Sequence, residues 1–109
     1  MEGIYLRIFT TEKQKHDGVL LYEWLLEQAK AMGINGGSAL RAIAGYGRHK
    51  KLHEEAFFEL APDLPVELVF VLTSDEADRL LALIAAENLS LLYFKSKVEW
   101  GFTGSCSSD

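Results

Sequence analysis

Residues 66–72 (Val-Glu-Leu-Val-Phe-Val-Leu) constrain the fold of this chain more than any other segment. The segment is apolar except for Glu67. An apolar run of strand length is typical of a strand that is buried on much of both faces. We therefore expect it to lie near the centre of a sheet that is covered on both sides.

Three other segments have the character of strands. Residues 4–10 alternate, with Ile4, Leu6 and Ile8 on one face and Tyr5, Arg7 and Phe9 on the other. Residues 38–45 lie between glycines and contain small and branched side chains, which predicts a second strand. Residues 55–60 predict a strand that the run 66–72 continues beyond Pro62 and Pro65, and residues 91–98 predict the last strand.

Two helices are predicted from capping residues and helical periodicity. Asp17 is the expected N-cap of the first helix, which ends at Gly33 and has one face formed by Leu21, Trp24, Leu25, Gln28, Ala29 and Met32. Thr73 and Glu76 have the spacing of a capping box at the start of the second helix. That helix should end near Asn88, and its apolar face comprises Ala77, Leu80, Leu81 and Ile84.

The predicted order β-α-β-β-α-β indicates an α+β protein with a ferredoxin-like, four-stranded antiparallel sheet. We expect a single domain over residues 1–100 and a flexible C-terminal tail over residues 101–109. Two helices can cover only one face of such a sheet. Apolar residues on several strands therefore predict that a partner subunit covers the other face: Tyr5, Phe9, Val69, Val71, Leu91 and Tyr93.

Composition narrows the classes of function. The 109 residues include 11 Lys and Arg against 16 Asp and Glu, and the net charge of −5 argues against a nucleic-acid partner. Cys106 is the only cysteine, so neither an intrachain disulfide nor a cysteine-based metal cluster is expected. The N-terminal residues do not have the pattern of a secretion signal, and the apolar run 80–86 is too short to span a bilayer. We expect a cytoplasmic protein.

Two glycine-containing segments carry a resemblance to a known family. Residues 33–38 (Gly-Ile-Asn-Gly-Gly-Ser) and 41–50 (Arg-Ala-Ile-Ala-Gly-Tyr-Gly-Arg-His-Lys) resemble the PII signal-transduction superfamily, and more closely the PII-like domain of unknown function family 190. Further matching features are the segments 6–8, 21–23 and 63–66, together with His53. They occur in the same order through residues 4–98.

The resemblance implies a compact homotrimer whose intersubunit clefts bind a small anionic ligand, in the better-studied relatives an adenine nucleotide. It also implies that the protein regulates a membrane transporter or an enzyme. By position, Gly36, Gly37 and Ser38 match the loop that contacts the base. Four residues match the segment at the base of the signalling loop, Gly45, Gly47, Arg48 and Lys50, and Tyr46 lies among them. Where PII proteins carry a Gly-rich, Lys-containing phosphate loop, this chain has Glu87-Asn88-Leu89-Ser90.

The basic run Arg48-His49-Lys50-Lys51 supports an anionic ligand on physical grounds, because Arg and Lys donate charge-assisted hydrogen bonds to phosphates and glycines permit close backbone approach. A solvated surface turn is the alternative interpretation of the same run.

A metal-responsive protein and an enzyme are the two other classes of function considered for this sequence. The spacing of His49 and His53, beside Glu54 and Glu55, permits a divalent-metal site, and the protein would then be a metal-responsive trimer similar to the cation-tolerance branch of the fold. An enzyme is not expected, because no motif fixes Ser38, Tyr46 and His53 in a catalytic arrangement.

Three further residues have structural interpretations. Arg41 is expected to pair with a carboxylate across the sheet, such as Glu59 or Glu67. Trp24 and Trp100 are expected to lie in the core or in an interface.

Overall fold

The computed structural model of the chain describes residues 1–45 and 63–104. In chain order, its elements are β1 (Glu2–Thr11), β2 (Lys15–His16), β3 (Val19–Leu20), α1 (Leu21–Ala31), β4 (Gly37–Arg41), β5 (Pro65–Leu72), α2 (Ser74–Ala86) and β6 (Tyr93–Glu99). Four strands form an antiparallel sheet in the order β4-β5-β1-β6, and β2 pairs with β3 in a separate hairpin. The predicted α+β, ferredoxin-like fold is confirmed.

The core lies between the two helices and the inner strands β1 and β5. Alternate residues of these strands point towards the helices, so Ile8 of β1 and Leu68 of β5 are fully buried. They meet fully buried leucines of both helices, including Leu25 and Leu80. Burying a leucine or isoleucine side chain is worth about 1.5–3 kcal/mol. Burial in this shared core therefore stabilises the two strands and the two helices together.

Helix α2 begins as its sequence predicts. The Thr73 hydroxyl accepts a hydrogen bond from the Glu76 backbone N–H at 3.0 Å, and the Glu76 carboxylate accepts one from the Thr73 N–H at 3.0 Å. This reciprocal capping box satisfies two backbone donors that a helix start leaves unpaired. The helix ends before Asn88, whose φ of 62° marks a left-handed residue.

The predicted start of α1 at Asp17 is wrong. Leu20 occupies the N-cap position without a side-chain hydrogen bond, and Asp17 lies in the turn between β2 and β3. Asp17 and Gly18 have φ values of 53° and 85°. These values fit a two-residue hairpin turn with both central residues left-handed, which Asp-Gly favours. The predicted end of the helix is confirmed, because Gly33 has a φ of 89°.

The strand bounds differ from the prediction at two edges of the sheet. β4 is an exposed edge strand that ends at Arg41, not at Gly45. Beyond Arg41 the Ala42 N–H still donates to the Pro65 carbonyl at 2.9 Å, but Pro65 has no N–H to donate in return, so the regular pairing ends. β6 begins at Tyr93 instead of Leu91. The predicted strand at residues 55–60 lies outside the described residues.

Neither helix of the described residues packs against one face of the sheet, and we call it the open face. From β1 and β5 it presents Tyr5, Arg7, Phe9, Glu67, Val69 and Val71, and from β4 and β6 it presents Ser38, Leu40, Phe94, Ser96 and Val98. Its apolar members include Leu40, Val71 and Phe94, which are about half exposed. The prediction that Leu91 and Tyr93 lie on this face is wrong. Leu91 packs against the core and Tyr93 pairs with Ile8, which places both on the helix side.

No helix among residues 1–45 and 63–104 is long and apolar enough to cross a membrane.

We predict that Thr73→Ala lowers the free energy of unfolding by about 0.5–2 kcal/mol, because it removes the side-chain acceptor of the capping box. Ser74→Ala is the matched control, since Ser74 is exposed and follows the cap. Urea denaturation should show a lower midpoint with an unchanged slope for the Thr73 variant. Equal midpoints for the two variants would contradict this role of Thr73.

Candidate functional site

An open groove lies where the start of β4 approaches the end of β5. Its volume is about 450 Å³, and it is lined by Asn35, Gly36, Gly37, Ser38, Val69, Phe70, Val71, Trp100 and Phe102. Three of the predicted ligand residues, Gly36, Gly37 and Ser38, therefore lie together in one concave surface. Among the described residues, none that lines the groove carries a charge.

The aromatic wall of the groove comes from the segment that follows β6. The Trp100 backbone exchanges two hydrogen bonds with Met1, both 2.8 Å long. Its ring lies over Gly3, where an added Cβ would be 3.1 Å from two ring atoms. Trp100 also meets Phe102 edge to face, with ring centroids 5.9 Å apart. The absence of a side chain at Gly3 thus lets Trp100 reach the groove.

Gly37 has a packing role of its own. A Cβ at this position would lie 2.6 Å from Cδ1 of Phe70, and the ring of Phe70 is buried in the core. Such a distance is well below van der Waals contact between carbon atoms. Gly37 is therefore required by the close approach of β4 to Phe70, whether or not a ligand binds. Gly36, by contrast, has no atom within 4 Å of an added Cβ.

The remaining predicted site residues are not in the groove. Gly45 lies beyond the other end of β4, where its position is close to the ring of Pro65. Tyr46, Gly47, Arg48 and Lys50 lie outside the described residues, as do the candidate metal ligands His49 and His53.

The centre of the open face carries an ion pair between neighbouring strands. Arg7 Nε donates a hydrogen bond to Glu67 Oε2. The Arg7 guanidinium also lies 5.3 Å from the ring centroid of Phe9 and 5.4 Å from that of Phe94, within cation–π range. The hydrogen bond to Glu67 raises the pKa of Arg7, so Arg7 stays charged. The two charges neutralise each other at the centre of the open face, and apolar and aromatic side chains surround them.

The predicted pairing of Arg41 with Glu67 is wrong. Arg41 pairs with Val66 in the register, which places it on the helix side, whereas Glu67 points to the open face. Arg41 Nη1 instead donates to Glu12 Oε2 at 2.6 Å. Glu59, the other predicted partner, lies outside the described residues. Trp24 packs against the core, whereas Trp100 is 37% exposed in the groove.

The sequence matches a known protein family over nearly its whole length. The model of DUF190, described as "Uncharacterized ACR, COG1993", matches residues 3–99. The chain belongs to the DUF190 family. A UPF0166 protein from Aquifex aeolicus (strain VF5) is 35% identical over 96 residues, covering 81% of this chain and 91% of the relative. A UPF0166 protein from Methanocaldococcus jannaschii is 32% identical over 76 residues, covering 70% and 69%.

Two solved structures of PII-like proteins share the fold of this chain. CPII from Thiomonas intermedia K12, solved with ADP, AMP and acetate, has a TM-score of 0.65 and 14% identity, and the match covers 93% of this chain and 90% of CPII. A protein described as PII-like and signalling, from Thermus thermophilus, has a TM-score of 0.59 and 18% identity, covering 89% and 87%. The predicted DUF190 family is confirmed, and the fold is the one that these PII-like proteins have.

The sequence does not predict the groove residues that come from distant segments of this DUF190 chain. It predicts Trp100 only as a core or interface residue, and it places Phe102 in the tail. The sequence contains one indication of an aromatic surface here, because Trp100 and Phe102 flank Gly101 shortly after a predicted strand. Nothing in the sequence, however, brings the end of β6 to the start of β4.

We predict that Gly37→Ala destabilises the fold by about 1–3 kcal/mol, because the new methyl group overlaps the buried ring of Phe70. Gly36→Ala is the matched control, since a Cβ there meets open space, and its free energy of unfolding should stay within about 1 kcal/mol of the parent value. Thermal and urea denaturation measure both. If the two variants are equally stable, close packing on Phe70 is not the reason for glycine at position 37.

Proposed function

We propose that this DUF190 protein is a PII-like regulatory protein, not an enzyme, and that it binds an adenine nucleotide at the groove. One observation carries the proposal: Gly36, Gly37 and Ser38 line a groove in a chain that shares its fold with CPII, which was solved with ADP and AMP.

The groove has the chemistry that a planar base requires. Trp100 and Phe102 offer aromatic surface for stacking, and Val69 and Val71 add apolar contacts. Ser38 and the exposed backbone at Gly36 and Gly37 supply hydrogen-bonding groups at the rim. Because the lining residues in the described part of the chain are uncharged, the phosphates need positive charge from elsewhere. In the proposal, Arg48 and Lys50 provide that charge, and Gly45, Tyr46 and Gly47 belong to the same ligand-binding segment. Because Gly45 lies beyond the end of β4 that is remote from the groove, the proposal requires this segment to reach the ligand from a neighbouring subunit.

The proposed assembly is a homotrimer in which the open face is covered by neighbouring subunits. The half-exposed apolar side chains of this face surround the Arg7–Glu67 pair. Val71 belongs both to the open face and to the groove. A subunit that covers the open face therefore completes the groove, which makes the binding site an intersubunit cleft.

The proposed output is regulation of a membrane transporter or an enzyme in the cytoplasm, in response to the bound nucleotide. A divalent-metal-responsive trimer is the second candidate function. It is favoured by a separate observation, the convergence of three metal-ligating side chains at His16.

Calorimetric titration of the full chain tests the proposed ligand. We expect saturable binding of AMP, ADP or ATP, with GMP and GDP as matched controls that bind more weakly because the groove must read the base. Cyclic dinucleotides and Zn²⁺ are titrated separately. An absence of heat with every adenine nucleotide would exclude the proposed function, and binding of Zn²⁺ alone would favour the second candidate.

We predict that Arg48→Ala weakens nucleotide binding roughly tenfold to a hundredfold, because a charge-assisted hydrogen bond to phosphate is worth about 1.5–3 kcal/mol. Lys50→Ala should act in the same direction, and both effects should shrink at high salt. Lys13→Ala is the control of like charge, since Lys13 is exposed and follows β1. If all three variants bind equally tightly, the basic run is a solvated turn.

We predict that the chain forms a trimer with three times the chain mass of 12.2 kDa and that Val71→Lys dissociates it. A lysine there places an unpaired charge in the apolar part of the open face. Val19→Lys is the matched control, because Val19 is 45% exposed, Val71 is 46% exposed, and only Val71 lies on the open face. Light scattering measures the mass. A monomeric parent chain, or a trimeric Val71 variant, would exclude this interface.

A further inference from the structure

Three metal-ligating side chains, none of which lines the groove, meet beside α1 and the end of α2. His16 Nε2 lies 2.9 Å from Glu87 Oε1 and 3.6 Å from Asp17 Oδ2. All three donor atoms lie within 4.8 Å of one another. His16 and Glu87 are 71 positions apart in the chain, so the fold creates this cluster.

The imidazole of His16 is held firmly. Its side chain is only 12% exposed, and its ring meets Trp24 of α1 edge to face with centroids 4.6 Å apart. Asp17 is fixed next to it by the left-handed turn of the β2–β3 hairpin, and Glu87 is the C-cap residue of α2. The two carboxylates remain accessible, with side-chain exposures of 79% and 43%. A metal ion can therefore reach His16 Nε2 from solvent, and the surrounding contacts already hold that nitrogen in place.

We propose that His16, Asp17 and Glu87 form a binding site for a divalent first-row transition-metal ion such as Zn²⁺. Zn²⁺ binds imidazole nitrogen and carboxylate oxygen at about 2.0–2.2 Å, so neighbouring donors of a tetrahedral site are separated by about 3.4 Å. The distances of 2.9 and 3.6 Å from His16 Nε2 lie on either side of that value. Water completes the coordination at the exposed side.

The donor set selects the class of ion. An imidazole nitrogen suits Zn²⁺, Ni²⁺ and Cu²⁺, whereas Mg²⁺ and Ca²⁺ prefer oxygen ligands alone. Two carboxylates also balance the charge of a divalent ion. When the metal binds, Nε2 gives its lone pair to the ion, its hydrogen bond with Glu87 is replaced, and the ring proton resides on Nδ1.

A tether between the hairpin and α2 is the simpler role for the same residues. A single His–Glu hydrogen bond would serve that role, and Asp17 would then be dispensable. The metal site requires all three donors. It does not depend on nucleotide binding, so either function can fail without the other.

The test uses the full chain carrying Trp100→Phe, His49→Gln, His53→Gln and Cys106→Ser. These changes leave Trp24 as the only tryptophan, His16 as the only histidine and no thiol. Ni²⁺ is titrated by fluorescence, since a metal held at His16 quenches the adjacent indole of Trp24, and Zn²⁺ is titrated by calorimetry without nucleotide. We expect one ion per chain and saturable quenching.

Single variants assign the ligands. His16→Gln, Asp17→Asn and Glu87→Gln should each weaken binding at least tenfold, whereas Glu23→Gln, an exposed carboxylate in the first turn of α1, should leave it unchanged. Asp17 and Glu87 are exposed enough for their variants to fold even if the His16 variant does not, and circular dichroism checks this. Unsaturable binding, or full affinity in the Asp17 variant, would overturn the site and leave only the tether.

Discussion

The burial of β1 and β5 against two helices is the constraint on which the rest of this structure depends. Leu6, Ile8 and Leu68 lie on the helix side of the sheet and are fully removed from water. The period of two then commits every intervening residue to the other face, including Arg7 and Glu67. The open face is thus a direct consequence of how the core is built, and a register shift by one residue would exchange the two faces.

Regular periodicity and capping could be predicted from the sequence because the residues that determine them are close in the chain. The alternation in β1, the apolar run of β5 and the Thr73–Glu76 box all act within a few residues. The start of α1 was predicted wrongly because Asp17 favours two local structures, an N-cap and an Asp-Gly hairpin turn, and only the pairing of His16 with Val19 decides between them. This pairing is a contact across the hairpin, and amino-acid composition does not predict it.

The candidate site could be predicted only in the part that lies on one segment. Gly36, Gly37 and Ser38 were identified together because the resemblance to PII proteins includes this continuous segment, but the buried ring of Phe70 already requires glycine at position 37. Trp100 packs closely over Gly3, which has no side chain, and the register of β1 and β6 brings the two together. The partner of Arg41 was missed for the same reason, since the register sends Arg41 and Glu67 to opposite faces.

The shared position of Val71 links assembly to binding in the proposed function. Because Val71 lies on the open face and lines the groove, a subunit packed on that face changes one wall of the binding site. A ligand that prefers the completed site then stabilises the assembly, and by linkage the assembly raises the affinity for that ligand by the same factor. The Arg7–Glu67 pair fits this arrangement, because a hydrogen-bonded, neutralised pair can be covered at a lower desolvation cost than two separate charges. In the proposed function, one sheet face would thereby connect ligand occupancy to subunit contact without requiring a change of fold.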